Sequence, residues 1–231
     1  MKNLSVLFSV LPVVLLSLAT SSSLAFNKED LDKFIKTHQC VKCDLYGADL
    51  QGINAPGANL SEARLTAANL QNANLSGANM AGARMLMVKL KGADLTKVDL
   101  SRAYMLNVNL QHAKLGDTKF SKADLTGTRF VGQDLTGTDF SWANLTRANM
   151  ISADLRRADL SGAILEGAEL SGANLEGANL SRTILSGASF SDAKLNNANL
   201  SNANLLGGRF AGATWIDGSI CQQPSLGECR K

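Results

Sequence analysis

Residues 58–82 read ANLSE-ARLTA-ANLQN-ANLSG-ANMAG, five consecutive fives with one frame. The frame runs without insertion or deletion from Leu45 to Ile220, where a large apolar residue falls at all but one of the positions whose number ends in 5 or 0. Of these 36 centres, 24 are Leu, and the only small one is Ala55. Two residues before the centre a small residue is usual, Ala in 24 of 36 cases, and Asn or Asp dominates the place between. A period of five fits neither a 3.6-residue helix nor a plain alternating strand. Fixed short periods of this kind specify a solenoid, in which each unit buries its apolar face only against its neighbours. The centre and the small residue lie two apart, so an extended segment points both inward. The remaining three positions face water and turn the chain. Gly often stands second after the centre, as at Gly77, Gly92, Gly127 and Gly167, where a corner with positive φ suits it.

The phase of the larger side chains gives the number of sides. Phe120 and Phe140, Phe190 and Phe210, and Met85 and Met105 are each 20 apart, as are Val88 and Val108 or Thr118 and Thr138 at the small position. Like residues stack in successive coils of a parallel ladder, so four fives make one turn.

With its A-(N/D)-L-x-x frame, the chain resembles the pentapeptide-repeat family over about three quarters of its length. The resemblance implies an all-β solenoid, a right-handed quadrilateral parallel β-helix of about nine 20-residue coils with four faces. At about 4.8 Å per coil the rod would be roughly 43 Å long.

The expected organisation has four parts. Residues 1–25 read as a secretory signal peptide: Lys2, an apolar run Leu4–Leu18, and Ser23-Leu24-Ala25 before the cut. Residues 26–39 form a capping helix, with Asn27 as N-cap, Glu29 and Asp30 in the first turn and an apolar stripe of Leu31, Phe34 and Ile35. Phe34 is expected to fill the gap left by Ala55. Residues 40–220 form the β-helix, and residues 221–231 a tail closed by a disulfide.

Four cysteines permit three pairings. Cys40 and Cys43 lie at one end of the rod, Cys221 and Cys229 at the other, far beyond the roughly 7 Å Cα limit of a disulfide. The expected bridges are therefore Cys40–Cys43 and Cys221–Cys229, which export would keep oxidised. Other readings of C-x-x-C fit less well. A thioredoxin-like site needs a helix N-terminus after the motif, a c-type haem needs His where Asp44 stands, and zinc needs a second pair nearby.

Nothing in the chain points to catalysis. His38 and His112 have no nucleophile placed beside them by a motif, and no P-loop, G-x-S-x-G or H-E-x-x-H occurs. The many Asp residues before centres belong to the repeat, solvated or capping turn backbone. No catalytic residue, metal site or cofactor is expected. The net charge of +3, with both signs interspersed, argues against a nucleic-acid surface. The resemblance also implies, as a less favoured alternative, a role as a duplex-DNA mimic that inhibits a DNA-binding enzyme, but that needs a strongly acidic rod in its target's compartment.

The expected function is an exported, non-catalytic scaffold with an unknown protein partner, no membrane association after cleavage, and a monomeric state. Resemblance to exported members of the family implies the periplasm or the thylakoid lumen. A redox-responsive adaptor acting through Cys40 and Cys43 is the alternative. The candidate partner patch comes from aligning fives 20 apart: Arg84, Leu86, Met87, Tyr104 and Leu106 should adjoin on one outer face. A second corner aligns Arg102, Lys122 and Trp142, where a cation stacked on the indole is expected.

Overall fold

The backbone of one five shows why the fold takes this sequence. The computed structural model describes residues 26–231. In the unit Ala143-Asn144-Leu145-Thr146-Arg147, Ala143 N closes a tight turn on Phe140 O (3.0 Å). Asn144 N donates down the rod to Ala123 O (2.9 Å), and Leu145 N donates up to Ile164 O (2.7 Å). Arg147 N also donates up, to Glu166 O (2.9 Å). The remaining amide, Thr146 N, has no backbone partner; the Asn144 side-chain oxygen accepts it at 3.1 Å. The same side-chain cap recurs at Asp49, Asp139 and Asn199. The frame therefore satisfies all five backbone donors of the unit, as a packed backbone requires.

The second corner residue has positive φ throughout, whether Gly, as at Gly132 (64°), or not, as at Arg102 (59°) and Trp142 (60°). With the three-residue closing hydrogen bond, this is the type II turn. Parallel bridges join residues 20 apart from Gln39↔Asn59 to Lys194↔Thr214, giving a right-handed four-sided coil. Leu, Met and Phe centres fill the inside and are almost all fully buried. Phe120 and Phe140 stack at 5.2 Å with Phe130 edge-on to both, and Phe190 stacks on Phe210 at 5.2 Å.

Helix α1 (Lys28–Thr37) closes the first coil. The Asn27 side chain accepts from Glu29 N and Asp30 N, and His38 ends the helix in the left-handed region. The first coil has no coil beneath it. The Asp30 carboxylate takes the place of the missing carbonyl, accepting Asp44 N at 2.8 Å, while Asn27 N donates to Asp44 O at 2.9 Å. Phe34 is fully buried in the same core as Ala55. Ile35, assigned to the apolar stripe, is instead 55% exposed, because the helix contacts the coil along Leu31 and Phe34.

At the other end the five-residue frame stops turning before it stops in sequence. After Thr214 the chain reverses and pairs antiparallel, Thr214↔Ile220 and Arg209↔Leu226. Ile220, a centre by its number, is 52% exposed for that reason. The returning segment covers the coil edge at Phe210 and Gly212 through Ser225 O and Cys221 O. It leaves Leu200 and Leu205 only half-buried on the uncovered side. The structure pairs Cys40 with Cys43 and Cys221 with Cys229.

The ladder is interrupted in two places. The bridges that would join Lys89 to Asn109 and Lys114 to Asp134 are absent. Among the described residues the amides of Met87, Leu90, Gly92 and Asn109 lack backbone partners, as do those of His112, Leu115, Asp117 and Asp134. Surface clefts of about 390 and 450 Å³ open at these seams. Both seams coincide with oversized residues where the repeat wants Ala. Val88 lies one coil below Val108, and Gln133 lies one coil above Ala113. Extra volume at a tight inward position pushes neighbouring backbone apart. Gln133, at an inward position of the frame, is half-buried at its seam, and its Nε2 donates to Leu110 O at 2.7 Å.

Candidate functional site

The face that departs from the polar pattern is the ladder Asp44–Arg64–Arg84–Tyr104–Asp124, whose rungs are joined by parallel bridges. At its lower end Arg64 grips Asp44 through two hydrogen bonds, 2.7 and 2.6 Å, and its guanidinium lies 4.7 Å from the centroid of the Tyr46 ring. The Arg64 guanidinium holds the Asp44 carboxyl below the ordinary carboxylate range, with the Tyr46 amide adding to this.

One coil higher the order changes. Tyr104 is 54% exposed, Met87 62% and Leu86 42%, while Leu106 is half-buried. Arg84, Leu86, Tyr104 and Leu106 line one shallow groove of about 390 Å³ with Thr66 and Met85. Met87 stands at the corner beside it and does not line it.

A second groove of about 550 Å³ lies on the other side of the same ladder, bordered by Glu62, Arg64, Arg84, Arg102 and Tyr104. By the 20-residue phase Arg102 belongs to a separate corner with Lys122 and Trp142. The coil brings it beside Tyr104, two residues on, and this proximity in the chain was the signal available. Arg84 and Tyr104 border both grooves.

The corner amides of this face are uncapped. Arg64, Arg84 and Tyr104 stand where Asn or Asp would accept the amide two residues on. Among the described residues Thr66 N, Leu86 N and Leu106 N accordingly have no hydrogen-bond partner, whereas Thr126 N is capped by Asp124 (3.2 Å).

The Trp142 corner behaves differently from expectation. No cation lies over its indole among the described residues; the ring instead covers Gly162, whose added Cβ would meet the indole at 2.7 Å. A glycine one coil up leaves a flat seat, and the ring takes it.

Asp30, Cys40 and Cys43 place potential ligand atoms within 4.8 Å of one another. Both sulfurs are consumed in a disulfide and one Asp30 oxygen holds Asp44 N, so the three do not make a ligand set. No helix of the described residues is long and apolar enough to cross a membrane. The segment read as a signal peptide, residues 1–25, lies outside the described residues.

Five-residue rungs, type II corners and a Leu-filled square interior define a quadrilateral β-helix. A family model for pentapeptide repeats matches in 8 copies between residues 43 and 214, and the chain belongs to that family. HetL, a pentapeptide repeat protein involved in heterocyst differentiation regulation from the cyanobacterium Nostoc sp. strain PCC 7120, is 32% identical over 79% of this chain and 86% of its own, with a TM-score of 0.42. QnrB1, a plasmid-mediated fluoroquinolone resistance protein, is 19% identical over 75% of this chain and 89% of its own, with a TM-score of 0.51. A pentapeptide repeat protein from the Arabidopsis thaliana thylakoid lumen is 33% identical over 41% of this chain and 69% of its own, with a TM-score of 0.32. No curated protein matches the chain significantly in sequence.

Proposed function

We propose that the protein is an exported, non-catalytic binding scaffold that holds a partner protein on the face around Tyr104. The observation that carries this is the cluster of Leu86, Met87, Tyr104 and Leu106 beside Arg84 on adjacent rungs; the other exposed apolar groups of the coil, among them Trp142, Ile164, Ile184 and Leu206, lie on later rungs. The Arg84 and Tyr104 rungs are joined by parallel bridges, so those two side chains bind with little ordering cost. Export rests on the leader-like pattern of residues 1–25 and on four cysteines paired as two disulfides, which persist in oxidising compartments. The periplasm and the thylakoid lumen both meet that condition. The monomeric state rests on α1 covering one open coil and the returning tail covering part of the other.

The redox alternative has weaker support. Cys40 and Cys43 are 0% and 3% exposed, and reactive cysteines need access. Mimicry of DNA has less still, because a chain of net charge +3 lacks the required anionic surface.

The test is Tyr104→Ser combined with Leu106→Ser. Both side chains leave the coil outward, so the melting temperature should stay within a degree or two and capture of the native partner should fall sharply. Unfolding several degrees earlier would make these residues packing elements, and the binding reading would fail. Unchanged stability with every partner retained would place the contact elsewhere.

A further inference from the structure

We infer that the Tyr104 face takes an extended acidic segment of another protein, with a carboxylate against Arg84 and Arg102 and a large apolar side chain in the Leu86–Leu106 groove. The inference rests on the binding reading above and adds the chemistry of the partner.

Donors outnumber acceptors on this face. Arg84 and Arg102 have no carboxylate within salt-bridge distance among the described residues, and residues 1–25 contain no Asp or Glu that could supply one. The nearby carboxylates face other groups, Glu62 only through a long and largely exposed pair at the rim of the same groove. Asp44 is held by Arg64, Glu62 lies 3.5 Å from Lys42, and Asp124 accepts the amide and hydroxyl of Thr126. The uncapped amides of Thr66, Leu86 and Leu106 add three more unused donors on the same face. Two guanidiniums and a row of amides without acceptors call for an anionic, acceptor-rich ligand.

The apolar half narrows the class. The Leu86–Leu106 groove is shallow and open, so a small anion would leave it wet. A chain that also brings an aliphatic or aromatic side chain would cover it. Arg84 and Tyr104 border both grooves, so one segment can use both at once. In an extended segment, residues two apart point the same way, about 7 Å from each other. The recognition element is therefore an acidic residue and a large apolar residue two apart. The apolar segment 1–25 of this chain has no carboxylate to offer; a second copy carries the pairs Ile164 with Glu166 and Leu226 with Glu228, all exposed, so dimerisation is an arm of the test.

The probe is a synthetic peptide array carrying Asp, Asn or Lys at one position and Leu, Phe or Ser two residues on, read with the full chain. Peptides with Asp and Leu or Phe should bind best. Asp to Asn should weaken them about tenfold or more, the scale of a lost desolvated charge contact. Rising salt should weaken them as well. The pair Arg84→Gln and Arg102→Gln should abolish the preference for Asp over Asn, and Tyr104→Ser with Leu106→Ser should abolish the preference for Leu or Phe over Ser.

A preference for Lys, or an Asp preference that survives the two Gln substitutions, overturns the inference while leaving the binding scaffold in place. Retention of no peptide also overturns it, and partner capture with Tyr104→Ser and Leu106→Ser then judges the broader reading by itself. Binding of a peptide of residues 1–25 in preference to the acidic peptides, or dimers that depend on Tyr104, would assign the face to the chain itself.

Discussion

The amide that follows each centre explains why Asn and Asp recur through the chain. Four donors of every five are spent on backbone carbonyls, and the fifth is left to the side chain two residues earlier. Where that side chain is Lys, the amide goes without. Lys194 is exposed, and Asn196 N has no partner among the described residues, whereas in the rung below Asn174 caps Glu176 N at 3.1 Å. Lys194→Asn should therefore raise stability and Asn174→Ala should lower it, each by about 0.5–1 kcal/mol, the net worth of one such hydrogen bond. Urea titration of both variants checks this. Opposite signs in adjacent rungs of one ladder would identify the cap as the cause; a gain in neither would show that water serves the amide equally well.

Among the elements, the corners tolerate non-glycine residues at positive φ, and their cost depends on what lies one coil away. Gly132 and Gly162 have similar φ, 64° and 67°, but only Gly162 is covered by the Trp142 indole. Gly132→Ala should cost about 1 kcal/mol, the penalty of placing a Cβ in the left-handed region. Gly162→Ala should cost more and shift the tryptophan emission, because the ring must leave its seat. Equal losses and an unmoved spectrum would mean that the ring swings aside freely. The corners, the inward frame and the 20-residue phase were all legible in the sequence, since a strict period of five admits one alternation of inside and outside. The Trp142 seat was not, because its cause is a missing side chain one coil away. The reversal after Thr214 was not either, because Trp215 and Ile220 keep the numbering of the frame after the backbone has left it. On the candidate face, four of the five expected residues share one groove and Met87 stands beside it. Arg102 needed the coil geometry to join them.

For the whole molecule, the question is how evenly the rod is bonded along its length. Most coils are tied to the next by hydrogen bonds on all four sides, and the two seams at Lys89/Asn109 and Lys114/Asp134 are not. Native-state hydrogen exchange should find the amides of Leu90, Gly92 and Leu115 far less protected than Leu145 or Leu165, whose ladder bonds are 2.7 Å. Replacing both valines, Val88→Ala with Val108→Ala, removes the volume held responsible. It should restore protection at Leu90 at some cost in buried area. Protection at Leu90 equal to that at Leu145 in the unaltered protein would show the seam to be closed in solution.

A linear array holds together through nearest-neighbour interfaces, and its cooperativity is no stronger than the weakest of them. The two seams fall in successive coil interfaces, each of which keeps its other three bridges, and together they make the junction over residues 87–134 the weakest stretch of the rod. Heating should then melt the protein in two cooperative blocks. One is anchored by α1 and the Cys40–Cys43 bridge, the other by the stacked phenylalanines and the Cys221–Cys229 bridge. The calorimetric trace would be broader than one all-or-none transition allows. The Tyr104 face lies beside that junction, with Met87 on one side of it and Leu106 on the other. A partner seated there would span both blocks and make them melt as one.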